Sequence, residues 1–460
     1  MRQPRLSLSH LVCCALSSVV MFGVALGITG CGLAPKTDAT QRPITLTFWT
    51  LQLRDFAPYI KASLAEFERL HPDTHVEWVD VPFAEGEKRA LTAMLGAKVP
   101  DVINLNPSFA ARLAQKGTLL PLQPYLSPEL KQAYVAVAWQ AASLPTPQGD
   151  DPVGIPWYLT SKVVFAHTPT LKAMGLAQPP TSFEQLGQGL AKLQADTTPA
   201  TEGEHYGWFP PLADDGYWLK ELHAMGLLDL AKGCPYGMAQ QPAVVVQMQR
   251  YADWYKAGFI PTDTLTAGHR DAIQWYLSGR LALLVAGTSL VGALQPQAPT
   301  VASNTTVSPQ WPAQIAYADT ALMVLSVPKR TAHPKQAVAL ALFMADATRQ
   351  EALSVVAPVL PSHKQALAKR LRHWQQQAGL VAGQPPNPQA EPPLMAKALV
   401  VSAEQVLAAK HTLPLLPQQA EVFALANLTM QRILLGKTTV VQGLSQFDEQ
   451  CTLHTATPKS

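Results

Sequence analysis

The sequence predicts an α/β protein with at least two domains, and three observations lead to this prediction. Near the N-terminus, short segments with period-two hydrophobicity are separated by segments with helical spacing, and this order is typical of a parallel sheet. About 430 residues follow a leader-like segment, more than one hydrophobic core usually organises. The composition, 48% hydrophobic and 15% charged, is that of a globular chain.

The N-terminal segment is predicted to be a leader followed by a tether. Two arginines precede an apolar stretch from about Leu11 to Ile28, which is the arrangement of a secretory signal. The stretch ends in Ile28-Thr29-Gly30-Cys31, which resembles the bacterial lipobox, where the cysteine sulfur receives a diacylglycerol and becomes the new N-terminus. We therefore expect a signal peptide at 1–30, lipid attachment at Cys31 and a tether at 31–43. The alternative is an uncleaved anchor helix of roughly 18 residues, just long enough to span a bilayer.

The first elements after the tether place polar residues at one edge of the predicted sheet. The segments "ITLTFW" (44–49), "HVEWVDV" (75–81) and "VPDVINLN" (99–106) are predicted to contain strands, with amphipathic helices between them. Ligands of parallel sheets bind outside the carboxyl ends of the strands. We therefore expect a cleft whose mouth carries residues that end the first and third strands, namely Trp49, Gln52, Asn104 and Asn106.

Charge and cysteine content restrict the partners. The net charge is only +3 and no Lys/Arg cluster stands out, which argues against a nucleic-acid partner. Of the five cysteines, two leave with the signal and Cys31 is the predicted lipid site. Cys234 and Cys451 remain in an exported, oxidising compartment, where they either form a disulfide or stay unpaired. No Cys/His spacing indicates zinc, so we expect neither a metal nor a cofactor.

Nine segments between about Ile44 and Phe447 together resemble a known family. They include "FERLHPDTHVEWV", "ALTAMLGAKVPDVINLN", "YLSGRLALLVAGTS", "VPKRTAHPKQAVALALFMAD" and "ILLGKTTVVQGLSQF". In this order they are similar to the extracellular solute-binding proteins of sugar ABC importers, family 1, which includes the maltose-binding proteins. The resemblance implies a two-lobed periplasmic-binding-protein fold, capture of a ligand between the lobes, and hinge closure.

The resemblance also implies where the lobes begin and end. The chain is expected to cross the hinge several times, so that each lobe is built from two separate segments. The expected boundaries are 44–155 and 312–358 for lobe 1, 164–292 and 362–455 for lobe 2, and 156–163, 293–311 and 359–361 for the hinge crossings.

Sugar sites combine flat aromatic rings, which cover C–H faces, with side chains that hydrogen-bond hydroxyls. Trp208 lies in "YGWFPPLADDGYW", which aligns with a ligand-stacking segment of the family, and is expected to be a platform. Core packing is the alternative for Trp49 and Phe423, and hinge packing is the alternative for Trp157 and Trp311. The other expected contacts are the four strand-end residues above, Tyr158, Thr288, Ser289 and Asp319.

The expected ligand is a neutral sugar, an oligosaccharide or a glycosylated polyol. The alternatives are glycerol 3-phosphate or another small polar solute, and an exported carbohydrate-active enzyme. No pattern of paired carboxylates and no Gly-x-Ser-x-Gly motif supports the enzyme. The resemblance further implies a monomer that works with the transmembrane subunits of an ABC permease and is held at the outer face of the membrane through Cys31.

Overall fold

The computed structural model describes residues 44–96, 98–146, 149–195, 205–212, 214–310, 317–380, 393–416 and 418–456. Pro43–Ser460 forms one compact unit. Within the described residues, no helix is both long and apolar enough to cross a membrane.

The strands are β1 (Ile44–Leu51), β2 (Thr74–Val81), β3 (Val102–Leu105), β4 (Ser143–Thr146), β5 (Gly149–Pro152), β6 (Ile155–His167), β7 (Tyr206–Trp208), β8 (Leu281–Gly287), β9 (Thr305–Ser308), β10 (Thr320–Ser326) and β11 (Leu360–Pro361).

The helices of the N-terminal half are α1 (Ala57–Leu70), α2 (Phe83–Leu95), α3 (Pro107–Gln115), α4 (Leu130–Ala133), α5 (Ala136–Ala141), α6 (Thr168–Ala173), α7 (Phe183–Ala195), α8 (Tyr217–Ala224) and α9 (Pro242–Lys256). Those of the C-terminal half are α10 (His269–Leu277), α11 (Leu290–Gln297), α12 (Pro299–Ser303), α13 (Pro334–Met344), α14 (Ala347–Val356), α15 (Lys364–Gln377), α16 (Pro393–Ala408), α17 (Gln419–Leu434) and α18 (Val440–Ala456). Short 3-10 helices occupy Arg54–Phe56, Gln123–Tyr125, Leu230–Lys232, Met238–Gln240 and Thr262–Leu265.

One long strand, β6, belongs to both halves of the sheet and connects them. The strand order is β2-β1-β3-β10-β6-β8-β7, and β11 and β9 also pair with β6. The N-terminal part of β6 pairs with β10 and β11, and its C-terminal part pairs with β8 and β9. The partner changes between Ser161, which lies opposite Thr320, and Lys162, which lies opposite Gly287.

The hydrophobic core divides at the same point of β6. Alternating residues of β1 face opposite sides of the first half, so that Phe48 packs with α1 and α13 while Trp49 packs towards α2 and α3. The second half is covered by α7, α8, α9, α17 and α18 on one face and by α10 and α11 on the other. The architecture is two-lobed α/β, as the strand and helix pattern predicts.

The helices after β11 contact the first half of the sheet. Helix α15 packs against the core of the first lobe through Leu367 and the fully buried Trp374, whereas the resemblance implies that 362–455 belongs to lobe 2. Helix α16 contributes Leu399 to the same core and Ala398 to the core of the second lobe. The physical reason is that these amphipathic helices cover a face of the first half-sheet that α2 and α3 leave open.

The chain then crosses between the lobes at 409–416, a crossing that the sequence did not predict. The N–H of Ala318 donates to the carbonyl of His411, and the hydroxyls of Thr320 and Thr412 are 3.1 Å apart. Helices α17 and α18 follow in the core of the second lobe. Within the expected crossing at 293–311, β9 pairs with the second-lobe part of β6.

Cys234 and Cys451 are joined by a disulfide in the structure, with Cα atoms 5.9 Å apart. Cys451 is fully buried on α18 and Cys234 lies in the loop before α9. The bond therefore fastens the last helix to the body of the second lobe.

Candidate functional site

A small pocket opens where β6 passes from one lobe to the other. Two aromatic rings, Phe209 and Tyr217, form part of its wall. Its polar lining consists of Lys162, Asp214, Asp215, Lys220, His269, Gln310 and Asp319. The pocket thus combines aromatic surface with a dense set of hydrogen-bonding groups.

Lys162 and Asp319 form an ion pair at the point where β6 changes partners. The N–H of Lys162 donates to the carbonyl of Asp319 at 3.2 Å, and Nζ lies 2.7 Å from Oδ2. Burial opposes the charged form of Asp319, but Lys162 and Lys220 hold the pKa of its carboxyl below the usual range. Burial also opposes the charge of Lys162, and Asp319 outweighs it and raises the pKa of the ammonium. Both groups therefore stay charged at neutral pH.

The loop between β7 and α8 presents a second ion pair, Asp215 to Lys220. Asp215 has a φ of 49° and Gly216 a φ of 60°, so the chain makes a left-handed turn here. Gly216 is required because a Cβ would lie 2.4 Å from the ring of Phe423. Lys220 in turn lies 5.6 Å from the centroid of that ring. The turn fixes the direction in which both charged side chains enter the pocket.

The N-terminus of α10 supplies the opposite wall. The N–H of His269 donates to Oδ2 of Asp214 at 3.4 Å. Burial and the positive charge of Lys162 lower the pKa of His269, outweighing the attraction of Asp214 and Asp319. At neutral pH the ring is therefore uncharged, and it can donate one hydrogen bond and accept another.

A buried carboxyl lies behind the pocket wall. The hydroxyl of Tyr217 donates to Oε1 of Glu221 at 3.3 Å, while Oε2 has no hydrogen-bond partner among the described residues. Burial raises the pKa of Glu221 to about 8, although Tyr217 and Arg250 act in the opposite direction. Glu221 is thus protonated at neutral pH, and its neutral form supports the ring of Tyr217 without adding a charge.

Of the predicted site residues that the structure describes, Asp319 is the one that lines this pocket. Trp208 does not: it is 2% exposed and its ring lies about 6 Å from those of Phe183 and Trp254 in the second-lobe core. Successive residues of an extended chain point to opposite faces, and the next residue, Phe209, touches the pocket although it is only 3% exposed.

Several other predicted contacts have structural roles. Trp157 is fully buried against Phe48 and Tyr158, with Tyr158 partly buried beside it, so both rings belong to the first-lobe core. Asn104 is fully buried and accepts the N–H of Leu51 at 3.3 Å. Asn104 and Trp157 are therefore enclosed in the first lobe and do not reach the pocket.

Thr288 and Phe423 are also buried. The Thr288 hydroxyl donates to the carbonyl of Pro358, which joins the end of β8 to the first lobe. Phe423 is 4% exposed and packs on Gly216 and Lys220, directly behind the pocket wall.

The remaining predicted residues are at least partly accessible and lie elsewhere. Asn106 caps α3 by accepting the N–H of Phe109 at 2.8 Å. Gln52 has a φ of 53° at the exposed end of β1, and Ser289 is exposed before α11. Trp49 lies in a separate groove along α2. Trp311 falls outside the described residues.

Sequence reasoning missed most of the polar lining, including Lys162, Lys220 and His269. One signal was available in "SKVVFAH" (161–167). A lysine that begins such an apolar run needs a partner for its charge when the strand is buried. Its partner, Asp319, is 157 residues away in the chain, so the pairing itself becomes visible only in the fold. No group of three His, Cys, Asp or Glu side chains in the described part of the chain is placed to hold a metal ion.

Comparison with known proteins gives a consistent result. The sequence model of the family "Bacterial extracellular solute-binding protein" matches residues 52–351. An uncharacterised lipoprotein from the oleD 5′ region of Streptomyces antibioticus is 26% identical over 171 residues, which is 36% of this chain and 36% of that protein.

Two solved structures extend the comparison to nearly the whole fold. One, a periplasmic-binding protein from Synechococcus sp. MITs9220 that has been proposed to bind oligosaccharides, is 31% identical with a TM-score of 0.73, over 89% of this chain and 98% of that one. The GacH receptor of Streptomyces glaucescens, solved with acarbose, is 19% identical with a TM-score of 0.66, over 89% and 97%. The second likeness concerns the fold alone.

Proposed function

Because this chain belongs to the family of bacterial extracellular solute-binding proteins, we propose that it is the substrate-binding component of an ABC importer. It captures a sugar or oligosaccharide in the pocket at the hinge and delivers it to the transmembrane permease. A lipid on Cys31 keeps it at the outer face of the membrane, and it acts as a monomer. The sugar leaves the site chemically unchanged.

The observation that carries this proposal is the composition of the pocket. Tyr217 offers a ring to the C–H face of a sugar, while Asp319, Lys162 and His269 offer acceptors and donors to its hydroxyls. Charged groups make stronger hydrogen bonds than neutral groups do. Two of the three aspartates are paired with the two lysines, so an uncharged ligand leaves both ion pairs intact.

The position of the pocket supports the mechanism. Lys162 and Asp319 lie where the sheet of one lobe meets that of the other, and Tyr217 and His269 belong to the second lobe. A ligand that contacts both sets binds the closed arrangement better than an open one, and so shifts the population towards it. The permease then receives the closed form.

A neutral ligand fits the charge of the site better than a phosphate ester does. The pocket contains three aspartates and two lysines, and both lysines are already paired with carboxylates. Glycerol 3-phosphate would have to displace Asp319 or Asp215 from its lysine and would face Asp214 as well. It stays the second candidate because two ammonium groups in one pocket are also the requirement of an anion site.

A thermal-shift screen tests the proposal on the chain from residue 43, with neutral sugars, maltodextrins, sugar phosphates and amines as separate arms. A ligand at a hundred times its Kd stabilises a protein by about 2.7 kcal/mol, which is an easily measured shift. We expect a shift from a neutral saccharide, with the saccharide recovered intact. A shift from sugar phosphates alone would favour the second candidate, and cleavage of the saccharide would contradict the transport role.

Attachment through Cys31 is tested in the full-length chain. We expect the wild-type protein to be recovered with the membrane fraction and the Cys31→Ala variant to be released from it. Equal membrane association of the two would contradict lipid attachment at this residue.

A further inference from the structure

The edge of the first half-sheet at which β1, β2 and β3 begin carries exposed cations from separate segments. Lys98 precedes β3, Lys116 caps the C-terminus of α3, and Lys329 and Arg330 follow the end of β10. All four residues are exposed, and none forms an ion pair with a described carboxylate. The fold therefore concentrates positive charge that is scattered along the sequence.

Backbone and side-chain contacts show that these segments lie side by side. The N–H of Lys329 donates to the carbonyl of Thr118 at 2.9 Å, which joins the loop after α3 to the loop after β10. The guanidinium of Arg330 donates to the carbonyl of Gly96, at the end of α2. The same edge holds the acid Asp101, which is 8% exposed and accepts the N–H of Thr47, and the exposed Asp73.

Two leucines extend this surface. Helices α1 and α2 both return the chain to this edge, and each ends in a leucine with unusually high exposure: Leu70 at 50% and Leu95 at 76%. Removing such apolar side chains from water is favourable, so two exposed leucines at one edge indicate a surface that another apolar phase can cover. We call Leu70, Leu95, Lys98, Lys116, Lys329 and Arg330 the basic edge.

The basic edge lies where the chain enters the fold. Ile44 begins β1 here, and its N–H donates to the carbonyl of Asp73 at 2.7 Å. The 13 residues from Cys31 to Pro43 precede it and reach at most about 45 Å when fully extended. If the proposed lipid is attached at Cys31, this edge is thus confined near the bilayer surface.

We propose that the basic edge is a docking surface for a bilayer that contains anionic lipids. Cations near such a surface are attracted to the headgroups, and exposed apolar side chains insert at the interface. The lysines and Arg330 would contact headgroup phosphates while Leu70 and Leu95 enter the interfacial layer. Docking would hold the anchored protein in a defined orientation between encounters with its permease.

Vesicle binding of residues 43–460, which form one compact unit without the anchor, tests the surface itself. We expect cosedimentation with vesicles of phosphatidylcholine and phosphatidylglycerol, weakening as salt rises, and little with pure phosphatidylcholine. Each basic residue contributes roughly a fivefold factor to such binding, so Lys98→Glu with Lys329→Glu should reduce it by at least roughly 25-fold. Leu95→Ser should reduce the vesicle binding that remains at high salt.

A matched control changes the same net charge elsewhere. Lys256→Glu with Lys437→Glu alters two exposed lysines of the second lobe and should leave vesicle binding nearly intact. Equal loss in the two double variants, or no preference for anionic vesicles, would overturn the proposal. Sugar-induced thermal shifts of the same variants keep this outcome separate from the proposed transport role, because those shifts should not change.

Discussion

At the scale of single residues, the site depends on an ion pair that the sequence around either residue does not predict. Lys162 lies on β6, and Asp319 lies directly before β10. Each keeps the other charged in a partly buried position. Such a pair is preorganised to hydrogen-bond hydroxyls because its geometry is fixed before the ligand arrives.

Asp319→Asn is expected to weaken sugar binding roughly ten- to hundredfold, because a hydrogen bond to a charged group contributes about 1.5–3 kcal/mol. Isothermal titration calorimetry measures the loss. Asp253→Asn, at an exposed position on α9, is the control and should bind as the wild type does. An unchanged affinity in Asp319→Asn would remove this carboxylate from the site.

Glu221 makes stability depend on pH. Its pKa is about 8 in the folded protein and near 4.5 in the unfolded chain, so the folded state binds more protons between these values. Stability therefore falls as pH rises from about 5 to about 8 and then levels off. Glu221→Gln should remove this fall and unfold at higher temperature than the wild type at pH 8.

Calorimetric melting of both proteins across this pH range is the measurement, and the two curves should converge near pH 5. The groups facing Glu221 are Tyr217 on its own helix and Arg250 on α9. A wild type and variant with parallel pH profiles would show that Glu221 titrates normally.

At this scale, the direction of a side chain is harder to infer from sequence than its chemical type. The segment around Trp208 does reach the pocket, but with Phe209, because one step along an extended chain reverses the side chain. The same limit applies to Asn104, near the end of β3, and to Trp157, near the start of β6, because both are fully buried. Which face a residue presents depends on what covers the sheet, and that is decided by distant segments.

At the scale of elements, the period of hydrophobic residues was sufficient to predict the first strands and helices. The first three strands lie within a few residues of the predicted segments, and the helices α1 and α2 lie between them as expected. The assignment of α15 to a lobe was not predictable in this way. Its buried face is similar to that of any amphipathic helix, and the partner that completes it, α16, has only its own apolar pattern to identify it.

The disulfide is expected to stabilise the second lobe by closing a long loop. Cys234 and Cys451 are 217 residues apart, and losing such a bond typically costs about 2–5 kcal/mol. Cys234→Ser with Cys451→Ser should therefore lower the free energy of unfolding in guanidinium by that amount. Reductant should have the same effect on the wild type and none on the double variant, whereas a reductant-insensitive wild type would contradict a structural role.

At the scale of the whole molecule, the lobes contact each other outside the pocket as well. The hydroxyl of Ser108 on α3 donates to Oε1 of Gln419 on α17 at 2.9 Å, which joins the first lobe to the second. This contact exists only when the lobes are close, so it favours the closed arrangement before any ligand binds.

Ser108→Ala is expected to weaken sugar binding about fivefold, because one neutral hydrogen bond contributes about 1 kcal/mol to closure. The radius of gyration of the free protein, from small-angle X-ray scattering, should rise slightly while that of the sugar complex stays the same. Gln249→Ala on the outer face of α9 serves as the control. Identical affinity and scattering in wild type and Ser108→Ala would show that this bond does not influence closure.

The path of β6 through both lobes has a consequence for how the protein is made. The first lobe lacks its central strand β10 until residue 326 has been synthesised, and α15 and α16 arrive later still. The second lobe waits for α17 and α18, and Cys451 can meet Cys234 only after residue 451 has been synthesised. Neither half can therefore complete its core as an early nascent fragment.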